Sequence, residues 1–371
     1  MANSTLNAAK AAKNDEFYTQ LSDIENELRH YKEHFRGKTV LCNCDDPRVS
    51  NFFKYFALNF EHLGLKRLIT TCYKNQNVDL FSKHDSEQAV YLIYDGDKNG
   101  NNIPDAEEIG IHPLKGDGDF RSKECIELLK EADIVVTNPP FSLWRCFVEL
   151  LEKYNKQWVI IGNKNAIAYK EFFPLLKNGR ACVGYNKGNG TMHFSTELLP
   201  TNENTVGVKI GPVNKSVPSY WYTNLDLDKS HEPLILTKNY YGNEQKYPKY
   251  ENYDAIECGK VADIPKDYFP CWYDCPSASV CEYAKTEGKP DSPALCEQQC
   301  NGEIGVPITY MANHCEDQFE IMGSDNNYAK PMSEIAPDGT YTKGGPAFYL
   351  KKNENYKRLY NRIVIRRKKT T

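Results

Sequence analysis

The sequence predicts an α/β fold built on a mostly parallel, doubly wound sheet. Between residues 39 and 163, short apolar runs alternate with amphipathic stretches of about ten to fifteen residues. This alternation is typical of βαβ units, in which helices cover both faces of a parallel sheet. Several apolar runs end in polar loops, and ligands of such sheets bind at the carboxyl ends of the strands.

The elements can be assigned in chain order. Residues 15–35 form the first predicted helix, whose apolar side chains recur at helical spacing: Leu21, Ile24, Leu28, Tyr31 and Phe35. The predicted strands are 39–43, 65–73, 89–94, a short segment within 111–120, 133–141 and 157–163. The further predicted helices are 50–64, 124–132, 143–154 and 169–179. From about residue 190 the pattern changes to short extended segments at 191–195, 205–211 and 219–226, which we expect at an antiparallel edge of the sheet.

Composition excludes several classes of protein. Hydrophobic residues make up 40% of the 371 residues, which is ordinary for a globular chain. No run approaches the roughly 20 apolar residues of a membrane helix, and the first residues lack the apolar core of a secretory signal. We therefore expect a cytoplasmic protein without membrane contact. The 13 cysteines, an odd number with no export signal, argue against a disulfide framework.

The strand predicted at 133–141 ends in Asn138-Pro139-Pro140-Phe141, hereafter the NPPF segment. Methylating an exocyclic amine is difficult because the nitrogen lone pair is delocalised into the ring. The side-chain carbonyl of Asn138 and the main-chain carbonyl of Pro139 can accept both amino hydrogens and draw the nitrogen toward tetrahedral geometry. The prolines stiffen the turn, and Phe141 offers a ring face to an extruded base. A Pro-Pro pair can also simply end a strand, but the position between an apolar strand and a helix favours the catalytic interpretation.

Five cysteines crowd into a short segment. They follow the pattern C-x3-C-x5-C-x14-C-x3-C and are Cys271, Cys275, Cys281, Cys296 and Cys300. The outer pairs can close a loop as a tetrahedral structural zinc site. An iron–sulfur cluster and free thiols are the alternatives. Residues 271–303 contain six acidic residues and two lysines, so we do not expect this segment to bind phosphate.

Two further patterns have simpler explanations. An acidic and amide-rich loop has the register of a calcium loop through Asp97, Asn99, Asn101, Asn102, Asp105 and Glu108. Asn replaces the usual glycine there, and a polar hairpin loop without metal explains the composition equally. The dipeptide at 270–271 resembles the Pro-Cys nucleophile of carbon-5 cytosine methylation, but it lies outside the predicted parallel core.

The second half of the chain combines residue types that bind nucleic acid. Tyr, Lys and Asn alternate between residues 238 and 253, and residues 341–371 contain ten Lys or Arg against the single acid Glu354. Lys can hold phosphates, Asn can bond adenine edges and Tyr can stack. A Tyr-rich irregular domain with a solvated tail is the alternative. The candidate DNA contacts are Tyr241, Asn243, Lys246, Tyr247, Lys249, Tyr250, Asn252, Arg366 and Arg367.

Beyond these features, the sequence resembles the EcoRI-type adenine-specific DNA methyltransferases of restriction–modification systems. The resemblance covers about residues 14–325. Its blocks are 15–28, 42–60, 116–122, 133–142, 160–171, 220–226, 240–256, 305–311 and 317–323. The longer blocks are highly specific, and the NPPF segment lies within one of them.

The resemblance implies a Rossmann-like, S-adenosylmethionine-dependent methyltransferase core with a mixed seven-stranded sheet in residues 1–230. It implies an irregular DNA-recognition region in residues 231–371, here with a Cys-rich insertion at 270–303 and the basic tail. The implied cofactor residues are Phe17, Tyr18, Thr19, Cys44, Asp45, Asp46, Asp119, Phe120 and Asn138. Cys44 to Asp46 stand where related enzymes carry a Gly-rich motif, and no GxGxxG pattern is present.

The function implied is sequence-specific methylation of adenine that is flipped out of double-stranded DNA. We expect a monomer that acts alongside a cognate restriction endonuclease without contacting it. Methylation of RNA adenine or of a protein glutamine remains an alternative, because such enzymes use the same motif. A DNA-binding protein that has lost catalysis is the non-enzymatic alternative.

Overall fold

The computed structural model describes residues 18–44, 50–71, 89–101, 104–105, 108–186, 192–196, 213–270 and 301–369. The chain divides into two compact units. The first comprises Met1–Ala166 and Ala181–Leu225, and the second comprises Ile167–Arg180 and Asp226–Thr371. The expected functional division into residues 1–230 and 231–371 stays a prediction; in the structure, the short excursion Ile167–Arg180 belongs to the second unit. No helix in the described ranges is long and apolar enough to cross a membrane.

The first unit is an α/β structure. Its strands are β1 (Tyr18–Thr19), β2 (Thr39–Asn43), β3 (Arg67–Thr71), β4 (Val90–Tyr94), β5 (Gly110–Pro113), β6 (Ile134–Thr137), β7 (Gln157–Asn163), β8 (Cys182–Val183), β9 (Met192–Thr196), β10 (Val213–Val217) and β11 (Ser219–Thr223). Its helices are α1 (Leu21–Leu28), α2 (Lys32–Phe35), α3 (Asn51–Leu58), α4 (Phe60–Leu63), α5 (Lys123–Glu131) and α6 (Trp144–Lys153).

The described strands form a large mixed sheet in the order β5-β4-β3-β2-β6-β7-β11-β8, and β1-β9-β10 form a separate sheet. The four central strands, β3, β2, β6 and β7, run parallel, whereas β4, β8 and β11 pair antiparallel to their neighbours. The expected mixed α/β sheet is therefore confirmed. The described sheet has eight strands rather than the expected seven, and the strand that the sequence analysis did not assign is the two-residue β8 at its end.

Burial explains why the central strands read as continuous apolar runs. Every residue of β2 and β6 is buried, as helices covering both faces of a parallel sheet require. Ser50 caps α3 by accepting hydrogen bonds from the backbone N–H groups of Phe52 and Phe53, at 3.2 and 3.4 Å. The Ser122 hydroxyl accepts in the same way from Cys125 at the start of α5. The helices thus begin at local polar signals.

Some predicted boundaries were wrong for local reasons. The first helix begins at Leu21 rather than residue 15, because Tyr18 and Thr19 pair with β9 as strand β1. The helix predicted at 169–179 shortens to α7 (Phe173–Lys177), where Pro174 occupies the first turn and needs no hydrogen-bond partner for its nitrogen. The strand predicted at 205–211 lies outside the described residues, and β10 was not predicted.

The second unit is more regular than the sequence suggested. It contains α7, α8 (Asp325–Tyr328), β12 (Lys249–Tyr250), β13 (Tyr253–Glu257), β14 (Glu303–Pro307), β15 (Phe319–Ser324), β16 (Tyr349–Lys352), β17 (Asn355–Arg358) and β18 (Arg362–Arg367). Strands β12-β13-β14-β18-β15 form a five-stranded sheet, and β16 and β17 form a hairpin. The expectation of an irregular region was wrong here, because the strands are short and pair with distant parts of the chain.

Strand β18 argues against the alternative of a solvated basic tail, because part of this basic segment forms a strand. It lies between β14 and β15, and its apolar centre, Ile363 to Ile365, is almost fully buried. The Arg362 guanidinium pairs with the Glu257 carboxylate at 2.8 Å, and Tyr250 donates its hydroxyl hydrogen to the same carboxylate. Burial beside this carboxylate raises the pKa of Tyr250 well above its ordinary value. Buried pairs of this kind are costly to break, so they fix the position of β18.

The contact between Gly162 and Trp144 provides a test of the packing in the first unit. The Trp144 indole lies against Gly162 of β7 and donates a hydrogen bond to the Ile161 carbonyl at 2.9 Å. A Cβ at Gly162 would overlap the indole nitrogen. We predict that Gly162→Ala lowers the free energy of unfolding by about 1–3 kcal/mol, as overpacking does, measured by denaturant unfolding.

Gly116→Ala is the matched control, because a Cβ there meets its nearest atom at an ordinary 3.5 Å. Equal stability of the two variants would contradict the packing described.

Candidate functional site

The carboxyl ends of the central strands lie in one row across the sheet. Asn43 ends β2 and pairs in register with Thr71 of β3. Thr71 pairs with Tyr91 of β4, and Tyr91 pairs with His112 of β5. On the other side, the Thr137 hydroxyl of β6 donates a hydrogen bond to the Asn43 carbonyl. The loops that follow β2, β5 and β6 therefore leave the sheet at the same edge.

The NPPF segment follows β6 at this edge. Asn138 is 7% exposed, Pro139 is buried, and Pro140 and Phe141 are half-buried. The Pro140 carbonyl accepts a hydrogen bond from the Leu143 amide at 2.9 Å, which closes the turn into α6. Among the described residues, none donates a hydrogen bond to the Pro139 carbonyl. The turn therefore places the Asn138 side-chain amide and the Pro139 main-chain carbonyl in consecutive residues at the carboxyl end of β6.

Trp144, the first residue of α6, anchors the start of the helix that follows this turn. Its indole donates to Ile161 and packs edge-on to Tyr222 with ring centroids 5.5 Å apart. The Tyr222 hydroxyl donates in turn to the Asn163 carbonyl at 3.0 Å. These contacts join α6, β7 and β11. The NPPF segment is thus attached to a helix whose start is held by two strands.

The end of β2 has features that suit a polar ligand. Asn43 is 5% exposed, and its side-chain carbonyl oxygen has no hydrogen-bond partner among the residues described. Buried polar atoms are nearly always hydrogen-bonded, so a bound ligand is a reasonable partner. Cys44 follows with a φ of 86°, in the left-handed region that glycine adopts most easily. Cys44 therefore adopts a φ that glycine usually supplies, and Asp45 and Asp46 lie outside the described residues.

Strand β1 brings a second buried oxygen, the Thr19 hydroxyl, near the start of α3. Thr19 is 2% exposed, and its hydroxyl also has no partner within the described ranges. The Thr19 carbonyl accepts a hydrogen bond from the Asn51 side chain at 2.7 Å, and Asn51 is the first residue of α3. Tyr18 pairs with β9 through its backbone, and Phe17 lies outside the described residues. The segment is thus held beside the helix that follows the β2 loop.

Asp119 and Phe120 lie in the loop between β5 and α5. The Phe120 ring is 7% exposed and packs edge-on to Phe147 of α6, with centroids 5.1 Å apart. The Arg121 guanidinium bonds the Asp119 carboxylate at 2.6 Å and lowers its pKa, so this carboxylate stays ionised. The structure therefore brings Phe120 onto the same helix that begins after the NPPF segment.

Three of the residues expected to contact DNA are instead buried and make hydrogen bonds within the second unit. Tyr247 is 6% exposed, and its hydroxyl donates to the Asp263 carbonyl at 2.9 Å. Tyr250 is 5% exposed and donates to the buried carboxylate described above. Asn252 is 2% exposed and makes three hydrogen bonds to the backbone, through both its amide nitrogen and its oxygen. These side chains hold loops together.

Other candidates face outward. Tyr241 is 47% exposed, and Lys246 is exposed while donating to the Asn243 side chain at 2.9 Å. Lys249 is exposed and pairs with the exposed Asp254 at 3.1 Å. Such exposed pairs are weak and exchange readily for other partners. The side chains of Tyr241, Lys246 and Lys249 are therefore available at the surface of the second unit, and Asn243 is half-buried there.

The two candidate arginines at the end of β18, Arg366 and Arg367, are only partly available. Arg366 pairs with Glu320 at 2.6 Å and its side chain is 16% exposed. Arg367 is half-buried and donates to the Lys266 carbonyl. Both guanidinium groups thus already bind oxygen atoms of the second unit.

The candidate zinc ligands Cys271, Cys275, Cys296 and Cys300 lie outside the described residues. Within the described part, Asp226, His231 and Glu316 form a group whose ligand atoms lie within 4.8 Å of one another. Both ring nitrogens of His231 already face carboxylates, at 2.9 Å from Asp226 and 2.8 Å from Asp317. Their hydrogen bonds raise the pKa of His231 to about 9. An imidazolium held by carboxylates therefore accounts for this group without a metal.

Sequence reasoning missed several residues that shape the site. Asn43 ends a strand at the carboxyl edge, and the rule for open α/β sheets could have identified it. Trp144 and Gly162 were not singled out, because their contact depends on the packing of α6 against β7. Asn51 was missed for the same reason, since its partner in β1 is 32 residues away.

Comparison with known proteins shows the family to which the chain belongs. Residues 5–275 match the family described as adenine-specific methyltransferase EcoRI. The chain is 43% identical over 330 residues to type II methyltransferase M.EcoRI of Escherichia coli, covering 86% of this chain and 89% of that protein. It is 34% identical over 368 residues to type II methyltransferase M.MgeORF184P of Mycoplasma genitalium, covering 97% of this chain and 98% of the relative. Type II methyltransferase M.MpnI of Mycoplasma pneumoniae is 33% identical over 368 residues, covering 98% of both chains. No solved structure gives a significant match. The resemblance inferred from the sequence is thus confirmed, and the chain belongs to the EcoRI family of adenine-specific methyltransferases.

Proposed function

We propose that this chain is the modification enzyme of a type II restriction–modification system and methylates the exocyclic amine of adenine in a short DNA sequence. The observation that carries the proposal is the NPPF segment at the edge where the β2 and β5 loops also leave the sheet. Related type II methyltransferases that match 86% or more of the chain support it. Membership of a methyltransferase family implies S-adenosylmethionine as the cofactor.

The residues of the NPPF segment suit this chemistry. In our proposal, the Asn138 side-chain carbonyl and the Pro139 carbonyl accept the two amine hydrogens, which localises the lone pair on the nitrogen. When bound, S-adenosylmethionine supplies an electrophilic methyl group on a sulfonium. Phe141 stacks on the target base. The support that Trp144 gives to α6 keeps both acceptors in place before the base arrives.

The cofactor is proposed to lie along the carboxyl edge of the sheet. Asn43 and Cys44 would line one side, where the buried carbonyl oxygen and the left-handed backbone occur. Asp119, kept ionised by Arg121, would accept hydrogen bonds from the cofactor, and Phe120 would stack on its adenine. The remaining residues proposed on family resemblance are Phe17, Tyr18, Thr19, Asp45, Asp46 and Asn138.

The target amine is inaccessible inside a duplex, so the base must be extruded. We propose that the second unit binds the duplex through exposed side chains, with Lys on phosphates and Tyr or Asn near bases. The candidates are the exposed Tyr241, Lys246 and Lys249 and the half-buried Asn243. Arg366 and Arg367 would need to exchange their present partners. Tyr247, Tyr250 and Asn252 would act indirectly, by shaping that surface. We further propose a monomer that does not contact its cognate endonuclease.

Replacing Asn138 tests the catalytic proposal. We predict that Asn138→Ala slows methyl transfer to DNA by about 10²–10³-fold, because one acceptor of the amine is lost. DNA affinity should change by less than about threefold, since the side chain contacts only the extruded base. The rate is measured as label transferred from S-adenosylmethionine to duplex DNA, and the affinity by fluorescence anisotropy.

Asn178→Ala, at the exposed end of α7, is the control and should leave both quantities unchanged. An Asn138→Ala enzyme with the parent rate would refute the assignment. Transfer to RNA but not DNA would favour the RNA alternative, and no cofactor binding would favour a DNA-binding protein without catalysis.

Substitutions on the outer face of the second unit test DNA binding. Lys246→Ala should weaken DNA binding about three- to tenfold and reduce the slope of log affinity against log salt by about one, the effect of losing one phosphate contact. Tyr241→Ala should weaken binding with little change in that slope, because no charge is removed. Lys260→Ala, an exposed lysine elsewhere in the unit, is the control. If Lys260→Ala and Lys246→Ala weaken binding equally, the proposed surface is wrong.

For the Cys-rich insertion, we propose a structural zinc ion held by Cys271, Cys275, Cys296 and Cys300. The support is the spacing of the cysteines alone. Elemental analysis of the purified protein should find about one zinc per chain, and Cys275→Ser should release it. Cys281→Ser should retain the zinc, because this cysteine lies outside the two pairs. Iron in place of zinc would indicate a cluster, and a metal-free protein with reactive thiols would exclude the site.

A further inference from the structure

Lys164 is a cation at the carboxyl edge of the sheet to which the proposed function assigns no role. It directly follows Asn163, the last residue of β7, and it is half-buried. Its backbone N–H donates to the Pro218 carbonyl at 2.9 Å, and its carbonyl accepts from the Tyr222 hydroxyl at 3.3 Å. The backbone of Lys164 is therefore held by β11 and by the residue that precedes it, which fixes the point from which the side chain extends.

The Lys164 side chain lies on the face of the sheet that α6 covers. The Trp144 indole packs against Gly162, so this face of β7 is the one beneath α6. Tyr220 pairs in register with Gly162, and residues paired across antiparallel strands present their side chains to the same face. The Lys164 ammonium lies over the Tyr220 ring, 5.6 Å from its centroid. It therefore lies on the same face, at the edge where the NPPF segment turns into α6.

The positive charge of Lys164 is not neutralised within the described part of the chain. No described carboxylate forms an ion pair with its ammonium, whereas Arg121, at the same edge, is paired with Asp119 at 2.6 Å. Burial raises the pKa of Tyr220, so its hydroxyl stays protonated and supplies no negative charge. The aromatic ring attracts the cation but offers no acceptor oxygen to its N–H groups. The ammonium is therefore suited to bind an anion.

The order of the strands indicates which anion binds there. Because β6 lies between β2 and β7, the NPPF segment leaves the sheet between Lys164 and the proposed cofactor residues Asn43 and Cys44. A flipped adenosine remains joined to its strand by a phosphate on each side, so these phosphates lie close to the pocket that receives the base. Lys binds such phosphates as a point charge. A DNA phosphate therefore fits Lys164 better than the carboxylate of S-adenosylmethionine does.

We propose that Lys164 binds one of the two phosphates that flank the flipped adenosine and so holds the base at the NPPF segment. The inference rests on the function proposed above and adds a DNA-binding residue to the first unit. The contact with the Tyr220 ring orders the ammonium before DNA arrives, which lowers the entropic cost of binding.

The kinetic test uses Lys164→Met, which keeps an unbranched side chain and removes the charge. Methyl transfer from S-adenosylmethionine to unmethylated plasmid DNA is measured at several NaCl concentrations. We expect kcat/KM for DNA to fall about tenfold or more, as loss of a hydrogen bond to a charged group does. The slope of log kcat/KM against log salt should become shallower by about one, because one phosphate contact is lost. Lys164→Arg should restore most of the rate, because it restores the charge.

Lys153→Met is the matched control. The Lys153 ammonium also lies 5.6 Å from a tyrosine ring centroid, that of Tyr154, but Lys153 is exposed at the far end of α6. This variant should keep the rate and the salt dependence of the parent. The affinity for S-adenosylmethionine, measured by calorimetry, should be unchanged in both Met variants.

A neutral methylphosphonate locates the contact on the DNA. Synthetic duplexes that carry the modified motif are made with one methylphosphonate on either side of the target adenosine. At one of these two positions the methylphosphonate should slow the parent enzyme about tenfold. It should slow Lys164→Met no further, because that variant has already lost the contact.

Three results would overturn the proposal and leave the proposed function in place. The first is a parent rate and salt dependence in Lys164→Met. The second is a loss of S-adenosylmethionine affinity with unchanged KM for DNA, which would assign Lys164 to the cofactor carboxylate. The third is an equal loss of rate in Lys164→Met and Lys164→Arg without a change in salt dependence, which would indicate a structural role. A parent enzyme that methylates no DNA would refute the proposed function, and this inference with it.

Discussion

The hydrogen bond from the Thr137 hydroxyl to the Asn43 carbonyl joins the two strand ends on which the candidate site depends. Backbone pairing between β2 and β6 extends only through Val40 and Leu41, so this side-chain bond continues the alignment to the carboxyl edge. The loop after β2 and the NPPF segment consequently begin side by side. Both the proposed cofactor position and the proposed target-base position follow from that alignment.

Helix α6 connects the other parts of the site to the same edge. Its first residue, Trp144, is fixed to β7 and β11, and its Phe147 ring supports Phe120 from the β5–α5 loop. One short helix thus orients a group proposed to stack on the cofactor and a group proposed to contact the target base. Gly162 permits the close approach of the indole on which this arrangement rests.

The sequence predicted most of the first unit because its signals are local. The parallel strands are continuous apolar runs, and the NPPF segment follows one of them directly. The antiparallel insertion of β4 was not predictable, since a strand pattern does not reveal the direction of pairing. The Asn43 side-chain oxygen, which has no partner within the described part of the chain, could not be predicted either, because its burial depends on neighbours far along the chain.

In the second unit, composition was a poorer guide than in the first. Tyr250 and Asn252 have the residue types of DNA contacts, yet burial and internal hydrogen bonds engage them. The charge pattern of the basic segment around Arg362 indicated a tail. The segment instead forms a strand, because its apolar centre pairs with two distant strands. Residue type alone does not distinguish a stabilising hydrogen bond from a contact surface.

The most direct test of the proposed function is long-read sequencing of DNA from cells that express this chain, with adenine modification scored in every sequence context. The proposed function predicts one short motif in which a single adenine is modified nearly to completion. Genomic DNA without any modified adenine motif, from cells that contain the folded protein, would contradict the proposal that the NPPF segment methylates adenine in DNA.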